Sequence, residues 1–405
     1  MAFSRPDLLR EELHRALPDR PFAVDFWDGS RLAPTNGDAG PTLTVRSPQA
    51  LAHALRAPGQ LGIGRAYVAG ALDVDDIDKA IHMLDTWQPP ALDAKAKARL
   101  AVAAVRAAGL VPPPRPPAAE LRPQGRRHSI LRDRRAVRHH YDVSNDYFAL
   151  FLDESMTYSC AIFSRGATTL EEAQWTKREL VCTKLNLRPG ERVLDIGCGW
   201  GAFAIHAAKE HGVHVTGVTL SEPQAQLGRQ RAEEAGVGDR VDIRVMDWRE
   251  LQAEPFDAIA SIGMVEHVGS GNIDAYAGRV HDLLKPGGRL LNHGIARLRH
   301  GDPEAGPFSE RYVFPDAAPL HLSRISFALE GAGLEVTHAE GFRMDYAETL
   351  THWAERFDAN LDEAIRLGGE ERVRVFRLYL RVARRGFETG FLSVFQVLAR
   401  RPDQG

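Results

Sequence analysis

The chain has 405 residues, and a single hydrophobic core seldom grows beyond about 250–300 residues, so we expect two domains. Hydrophobic residues make up 44% and charged residues 26% of the chain, as in soluble globular proteins. The 51 basic and 54 acidic side chains leave a net charge of −3, which gives no reason to expect nucleic acid as a partner.

The three cysteines, Cys160, Cys182 and Cys198, are too few and too widely spaced for a disulfide framework or a zinc site. We therefore expect no metal and a reducing, cytoplasmic location. The N-terminal residues contain no apolar run of the signal-peptide type, and no stretch approaches the roughly 20 apolar residues of a membrane span. Any membrane contact is expected to be peripheral, on the inner face.

Residues 1–110 are predicted to form a small α+β domain. Its expected elements are strands at 21–27 and 42–45 and helices at 47–55 and 91–108. The glycine-rich run at 61–72 has two interpretations, a turn packed under the core or a lipid-sequestering module. We favour the turn, because glycine interrupts regular structure.

A proline-rich linker is expected at residues 111–127, followed by a second domain at 128–405. The sequence V-P-P-P-R-P-P cannot continue a helix and favours an extended, semi-rigid spacer. Residues 126–140 contain six arginines and one aspartate with apolar residues between them. Such a segment suits either a solvated helix face or an anionic membrane surface, where each basic residue contributes about 1 kcal/mol.

Residues 141–163 are rich in aromatic and small polar side chains. Tyr147, Phe148 and Phe151 have helical spacing, which is typical of core positions. The run Thr157-Tyr158-Ser159-Cys160 is unusual for a core, because it has three hydroxyl groups and a thiol in succession. We therefore predict that this segment forms a lid over a ligand.

From residue 170 to about residue 300, helix and strand patterns alternate, which predicts a doubly wound, mostly parallel sheet. A capping box of Thr169 and Glu172 is expected to begin one helix, and Ser221 is expected to cap another. The predicted strands are 193–196, 213–218, 241–245, 256–262 and 289–293, with an edge strand at 335–342. Ligands bind at the carboxyl ends of such strands, which here carry Asp195, Gly197, Thr219, Asp247, Ser261 and His293.

A glycine turn follows the strand at 193–196. Gly197, Gly199 and Gly201 have G-x-G-x-G spacing, which permits a tight turn and lets a ligand approach bare backbone. A dinucleotide fold has G-x-G-x-x-G and an acidic residue about 20 positions later, where this chain has Thr219-Leu220-Ser221. Such a turn alone is weak evidence, but both differences argue against NAD and favour another nucleotide-type ligand.

The hydroxyl-bearing end of the second strand and Asp247-Trp248 after the third suit S-adenosylmethionine. Gly197 to Gly201 are expected near its methionine part, Thr219 to Gln224 near its ribose, and Trp248 on its adenine. Tyrosine rings and carboxylates can hold its sulfonium cation. The predicted cofactor residues are Tyr141, Tyr158, Ser159, Asp195, Gly197, Gly199, Gly201, Thr219, Leu220, Ser221, Gln224, Asp247 and Trp248.

Several motifs, in order, resemble the cyclopropane-fatty-acid synthase family: H-Y-D-V-S-N-D-Y-F, M-T-Y-S-C-A-I-F, V-L-D-I-G-C-G-W-G, V-T-G-V-T-L-S-E-P-Q, S-I-G-M-V-E-H-V-G and the C-terminal F-R-L-Y-L…G-F…G…Q. The similarity runs from about His139 to the C-terminus, roughly two-thirds of the chain. It implies an α/β fold, a Rossmann-like class I methyltransferase sheet with a helical lid. The N-terminal part resembles the small lipid-associated domain of the bacterial phospholipid-acting members.

The resemblance implies methyl transfer from S-adenosylmethionine to a cis double bond of an oleoyl-type phospholipid chain, which leaves a carbocation beside the new methyl group. In the family a bound bicarbonate is thought to take the proton, and an anion between aromatic walls can do so. The groups that match its ligands here are Cys160, Glu266, His293, Tyr346 and the amide of Ile295. A second cysteine, found in many members near the last helix, is replaced here by Ala383.

Two products follow from such a cation. Loss of a methyl proton closes a cyclopropane, whereas a hydride shift and proton loss give a methylene branch, which a separate reductase would convert to a 10-methyl chain. The segment R-P-F-A-V-D-F-W-D-G resembles enzymes of the tuberculostearic-acid type, so we favour the branched product. The alternatives are a methyltransferase for another lipid or small molecule, and a lipid-binding protein with a vestigial methyltransferase domain. Further expected partners are a bilayer surface and a second copy of the chain, in a homodimer.

Overall fold

The computed structural model describes residues 6–36, 40–109, 114–122, 125–141, 144–300 and 306–403, without the side chains of 136–141. The chain divides into two compact units. The first comprises Met1–Leu121, Gly306–Val313 and Gly368–Val382, and the second comprises Arg122–Ala305, Phe314–Leu367 and Ala383–Gly405. The predicted linker at 111–127 lies partly outside the described residues, and its boundaries stay a prediction.

Residues up to 121 form a small sheet with helices around it. Its elements are α1 (Asp7–Ala16), β1 (Ala23–Asp25), β2 (Arg31–Leu32), β3 (Thr42–Val45), α2 (Gln49–Arg56), α3 (Gln60–Val68), β4 (Leu72–Val74), α4 (Ile77–Thr86) and α5 (Ala94–Ala108). The strand order is β2-β1-β3-β4, with β1 parallel to β3 and the other pairs antiparallel.

The expectation of a turn at 61–72 is wrong, because most of this run is helix α3. Gly62 shows the physical reason. A side chain there would collide with the backbone of His53 and Ala57, so glycine lets α3 approach α2 closely. The glycines in this run therefore serve packing and do not interrupt the helix.

The later elements follow in chain order. They are α6 (Ile130–Tyr141), α7 (Asn145–Ala149), α8 (Leu170–Lys184), β5 (Arg192–Ile196), α9 (Ala202–His211), β6 (His214–Thr219), α10 (Glu222–Glu234), β7 (Val241–Val245), a 3₁₀ turn (Trp248–Glu250), β8 (Phe256–Ile262), α11 (Val265–Val268), α12 (Ile273–Leu283), β9 (Leu284–Arg297), α13 (Pro307–Tyr312), β10 (Leu320–His321), α14 (Leu322–Gly331), β11 (Glu335–Gly341), α15 (Arg343–Ala359), α16 (Leu361–Glu388) and β12 (Ser393–Arg400). Gly369, with φ of 76°, interrupts α16. Helix α13 and the middle of α16 belong to the first unit.

The second unit is built on one sheet with the order β11-β12-β9-β8-β5-β6-β7, and β10 pairs with β9. Strands β9, β8, β5, β6 and β7 are parallel, whereas β12 is antiparallel to both neighbours. The predicted parallel strands and the edge strand β11 are all present. The capping box of Thr169 and Glu172 is confirmed, and Ser221 caps α10.

Both faces of this sheet are covered, which explains the continuous apolar pattern of β5. Val193 packs in a cluster with residues of α8, α9 and α10, and Leu194 packs in a cluster with residues of α12 and α14. Alternate side chains of a strand point to opposite faces, so a strand buried on both sides needs apolar residues throughout. Arg192 at the start of the strand and Asp195 near its carboxyl end are the polar exceptions.

Candidate active site

The turn after β5 is built from glycines in a left-handed backbone conformation. Gly197, Gly199 and Gly201 have φ of 77°, 55° and 80°, a region that other residues rarely adopt. A side chain on Gly197 would collide with Met264, whereas one on Gly199 would meet nothing within 4 Å. The turn therefore presents bare backbone to open space and leads directly into α9.

A pocket opens at this turn. Its walls come from the segment before α8, from α8, from the turn and from the residues after β8. The lining residues are Met156, Thr157, Tyr158, Ser159, Lys177, Asp195, Gly197, Cys198, Gly199, Trp200, Ala202, Phe203, Gln224, Ile262 and Gly263. The pocket is thus at the carboxyl ends of the parallel strands, where the sequence predicts a ligand.

The predicted cofactor residues fall into three groups. Those that line the pocket are Tyr158, Ser159, Asp195, Gly197, Gly199 and Gln224. Those outside this lining, whose roles stay predictions, are Gly201, Thr219, Leu220, Ser221, Asp247 and Trp248. Tyr141 ends α6, and its side chain lies outside the described residues.

Gln224 is held in the pocket wall by the connection between β6 and α10. Thr219 donates its hydroxyl to Gln224 Oε1 over 2.8 Å. Ser221 Oγ accepts from the Gln224 backbone N–H over 3.4 Å, which caps α10. The Thr219 and Ser221 hydroxyl groups, which are predicted to lie near the ribose, therefore also fix the start of α10.

The end of β7 is organised by Arg249. Its guanidinium donates to both carboxylate oxygens of Asp247, over 2.7 and 2.6 Å, and to Asp133 of α6 over 2.7 Å. Trp248 packs edge-on against Tyr276, with ring centroids 5.4 Å apart. A ribose that binds Asp247 would therefore share this carboxylate with Arg249.

The segment before α8 combines a core and a pocket wall. Tyr147, Phe148 and Phe151 are fully buried, as their helical spacing predicts. The Tyr158 ring contacts Phe148 and Trp353, with centroids 5.4 and 5.1 Å apart, and it also lines the pocket. The aromatic cluster thus supports the part of the segment that the sequence assigns to a lid.

Lys177 is a pocket residue that the sequence analysis did not identify. Its side chain is fully buried, and its Nζ donates to Ser159 Oγ over 2.9 Å. Burial lowers the pKa of Lys177 to about 7 and raises the pKa of Asp195 to about 7, while the lysine charge opposes the rise at Asp195. A signal existed, because Leu170, Ala173, Lys177 and Val181 share one face of α8 and the other three are apolar.

Cys160 and Tyr346 both contact the carbonyl group of Phe342, at the start of α15, Cys160 through its thiol and Tyr346 through its backbone N–H. The Cys160 thiol donates to the carbonyl of Ala161 over 3.1 Å and lies 3.8 Å from the carbonyl of Phe342, just before α15. Burial raises the pKa of Cys160, so the thiol keeps its proton at neutral pH. The Tyr346 ring stacks on Phe387 with centroids 4.5 Å apart.

Glu266, His293 and Ile295 come together at the carboxyl ends of β8 and β9. The backbone N–H groups of Glu266 itself and of Ile295 favour the ionised Glu266 carboxylate and lower its pKa. A side chain on Gly294 would lie 3.1 Å from Glu266 Oε2, so this oxygen rests against the strand between His293 and Ile295. Among the described residues, no group hydrogen-bonds to Glu266 Oε2 or to His293 Nε2. The site thus holds two buried polar atoms that a ligand can satisfy.

Burial acts in opposite directions on these two side chains. It raises the pKa of Glu266 to about 7 and lowers the pKa of His293 to about 3. At neutral pH the histidine is therefore uncharged, and the glutamate is close to half ionised.

Two further residues, Lys184 and Gln396, fix the proton of His293. The Lys184 ammonium donates to Gln396 Oε1 over 2.7 Å, and Gln396 Nε2 lies 3.2 Å from His293 Nδ1. Because an ammonium group only donates, the Gln396 amide must donate to Nδ1, which leaves the imidazole proton on Nε2. Gln396 was not predicted either, although a glutamine inside the apolar run V-F-Q-V-L-A is a visible signal.

Residues 128–397 match the sequence profile of the mycolic acid cyclopropane synthetase family. The chain belongs to this family. A probable fatty acid methyltransferase of Mycobacterium tuberculosis is 38% identical over 97% of this chain and 94% of its own. The tuberculostearic acid methyltransferase of that organism is 33% identical over 95% of this chain and 88% of its own. The crystal structure of the mycolic acid cyclopropane synthase CmaA1 with SAH and CTAB is 34% identical, with a TM-score of 0.63 over 66% of this chain and 98% of that one.

Membership of the cyclopropane synthetase family confirms the class I methyltransferase fold and an S-adenosylmethionine-dependent methyltransferase activity. The two relatives match nearly the whole chain, so the N-terminal part lies within the aligned length. Its association with lipid stays a prediction. Within the described residues, no helix is both long enough and apolar enough to cross a bilayer.

Proposed function

We propose that this family member transfers a methyl group from S-adenosylmethionine to the cis double bond of an unsaturated, oleoyl-type phospholipid chain. The observation that carries the proposal is that two buried polar atoms, the Nε2–H donor of His293 and the Oε2 acceptor of Glu266, have no partner among the described residues. Leaving such atoms unpaired costs about 1–3 kcal/mol each, so a polar ligand is expected there. Methylation of an alkene needs a buried proton acceptor, and this pair suits one.

Bicarbonate fits this pair of atoms, because it has acceptor oxygens and one hydroxyl donor. His293 and Glu266 would hold it, and Cys160, Tyr346 and the Ile295 amide complete the set that the family resemblance implies. When bound, bicarbonate supplies a base that can take a proton from a hydrocarbon cation. The Ile295 amide also favours the ionised form of Glu266, because it lowers the pKa of that carboxyl group.

S-adenosylmethionine fits the pocket at the glycine turn. Asp195 Oδ2 is buried without a partner among the described residues, and Asp195 lines this pocket. We assign this oxygen to the ammonium group of the cofactor's methionine part, next to the open backbone of Gly199. Lys177 opposes the rise in the pKa of Asp195 and so helps it to remain ionised.

In the proposed reaction, the π electrons of the double bond form the new carbon–carbon bond. The carbon–sulfur bond of S-adenosylmethionine breaks at the same time, and S-adenosylhomocysteine leaves. An alkene is a weak nucleophile, so the protein must exclude water and hold the methyl group in line with the double bond. The positive charge then lies on the acyl chain until a C–H proton leaves, and Glu266 Oε2, with a pKa of about 7, is able to hold that proton.

We favour the methylene-branched product, which a separate reductase would convert to a methyl branch. The similarity to a tuberculostearic acid methyltransferase supports this product, whereas the family profile and the solved structure are named for cyclopropane synthesis. Both products arise from one cation. The position of the proton acceptor relative to the new methyl group therefore decides between them.

Because the substrate is a phospholipid, we propose that the protein acts at a bilayer surface. The basic segment before residue 140 contributes less free charge than its composition suggests. Arg132 pairs with Asp316 over 2.7 Å, and Arg134 lies 3.7 Å from Glu250. These pairs lower the free charge of the segment, which favours the interpretation of a solvated helix face.

The test uses purified protein, S-adenosylmethionine with an isotopically labelled methyl group, and vesicles of a dioleoyl phospholipid. We expect labelled acyl chains from these vesicles and none from matched vesicles of a distearoyl phospholipid. Nuclear magnetic resonance separates an exocyclic methylene group from a cyclopropane ring. The same yield of S-adenosylhomocysteine with and without lipid, and no labelled acyl chain, would contradict the proposal.

A further inference from the structure

Helices α8 and α9 bring a group of metal-ligating side chains together. Cys182 of α8 and His206 and His211 of α9 place one ligand atom each within 4.8 Å of one another. Glu179 lies one turn before Cys182, and its Oε2 is 3.1 Å from the Nε2 atoms of both histidines. We propose that Glu179, Cys182, His206 and His211 form a zinc-binding site.

The spacing of these atoms suits a tetrahedral ion. Zinc binds histidine nitrogen at about 2.0–2.1 Å and carboxylate oxygen at about 2.0–2.2 Å, which places neighbouring tetrahedral ligands about 3.3–3.5 Å apart. The distances of 3.1 Å from Glu179 to the two histidines are close to this value. The Cys182 sulfur lies within 4.8 Å of one nitrogen of each histidine, and in the proposed site it moves closer to take the fourth position.

The chemistry of the four ligands also suits zinc. A thiolate, two imidazoles and a carboxylate supply sulfur, nitrogen and oxygen donors, and together they carry a charge of −2 that one Zn²⁺ neutralises. Burial lowers the pKa of His206, so its ring is neutral and available for coordination. Burial raises the pKa of the Cys182 thiol, so zinc must displace its proton, and binding is expected to release one proton to the solvent.

The site is accessible and lies apart from the residues assigned to methyl transfer. Cys182 and His206 are buried, whereas Glu179 and His211 are 31% and 21% exposed, which gives an ion a route from the solvent. The spacing of the cysteines gives no sign of this site, because three of the four ligands are not cysteines. Two of those three ligands also lie on another helix. An ion here would tie α8, which carries Lys177, to α9, which begins at the glycine turn.

A hydrogen-bonded network is the competing interpretation of the same atoms. In it, one carboxylate oxygen of Glu179 accepts from both histidines, and Cys182 is a buried thiol that takes no part. The two interpretations differ in the role of the sulfur. A measurement that reports on the sulfur therefore separates them.

The test titrates chelator-treated, full-length protein with Zn²⁺ in competition with a chromophoric chelator, and separately with Co²⁺. We expect one zinc ion per chain with a dissociation constant below micromolar. The cobalt form should show tetrahedral d–d bands and a thiolate-to-cobalt charge-transfer band. Cys182→Ala should remove the charge-transfer band and weaken zinc binding at least 100-fold, whereas His214→Gln, at an exposed histidine of β6, should change neither.

The wild-type cobalt spectrum needs no variant, so it tests the proposal even if Cys182→Ala fails to fold. Absence of a stoichiometric site in the wild-type protein would overturn the proposal. So would a folded Cys182→Ala variant that binds zinc as tightly as the wild type. Neither outcome tests methyl transfer, because the zinc proposal rests on residues other than those assigned to that reaction.

Discussion

Replacing Glu266 with glutamine separates the charge of this side chain from its shape. The carboxyl group is buried against Gly294, and burial raises its pKa from 4.5 to about 7, while the backbone N–H groups of Glu266 and Ile295 oppose the rise. Glutamine keeps the size and a carbonyl oxygen at this position but cannot ionise. It therefore mimics the protonated form of Glu266 at every pH.

The effect on stability follows from the raised pKa. The folded protein binds this proton more tightly than the unfolded chain, so the stabilisation is complete below pH 4.5 and is lost as the pH rises through 7. The rise in pKa corresponds to about 3 kcal/mol once the group is fully ionised. We expect the free energy of unfolding of Glu266→Gln to match the wild type near pH 4 and to exceed it by about 3 kcal/mol near pH 8.5.

The effect on turnover is opposite, because a glutamine can hold bicarbonate through its carbonyl group but cannot take up the proton that leaves the acyl chain. We expect methyl transfer to fall at least 10²-fold, the typical contribution of a general base. Binding of S-adenosylmethionine should be unchanged, since Glu266 is not among the pocket-lining residues. Urea denaturation at the two pH values, calorimetric titration with the cofactor and the vesicle assay measure the three quantities.

Glu254→Gln is the matched control, because Glu254 is exposed and should leave all three quantities as in the wild type. A difference in stability between Glu266→Gln and the wild type that does not grow with pH would refute the reasoning about burial. Loss of cofactor binding in Glu266→Gln would show instead that this residue belongs to the cofactor site.

Two further variants test the neighbouring groups. Gly294→Ala should lower the free energy of unfolding by about 1–3 kcal/mol and also lower turnover. The added methyl group would collide with Val265 and press on Glu266 Oε2. A stable, fully active variant would contradict the close approach of Val265 and Glu266 to Gly294. Lys177→Met should weaken S-adenosylmethionine binding about tenfold in calorimetry, because Asp195 loses the charge that keeps it ionised. Lys184→Met, on the same helix but bound to Gln396, is its control, and equal affinities for both variants would show that Lys177 does not act on Asp195.

The sheet and its glycine turn are predictable because their signals are local. Val193 and Leu194 are apolar because β5 is covered on both faces, and Gly199 adopts a conformation that favours glycine. The capping residues Thr169 and Ser221 are likewise recognised from the few residues that follow them. Sequence alone thus places the pocket at the carboxyl end of β5.

The groups that act through distant contacts are harder to predict. Gln396 reaches His293 only because β12 enters the sheet antiparallel to β9, and a register shift of one residue would turn it to the other face. Residues 306–313 and 368–382 join the first unit through contacts that no local pattern encodes. The error at 61–72 has a similar cause, because whether glycines break a helix or allow close packing depends on the neighbouring helix.

The fatty acids of intact cells test methyl transfer to a phospholipid chain most directly. The full-length chain is expressed in cells rich in oleoyl phospholipid and lacking enzymes of this type, and their fatty acids are analysed by mass spectrometry. We predict acyl chains heavier by one CH₂ unit than oleate, carrying a methylene branch, and none in cells that express Glu266→Gln. An unchanged fatty acid profile, from cells that contain folded protein able to bind S-adenosylmethionine, would contradict the proposed function.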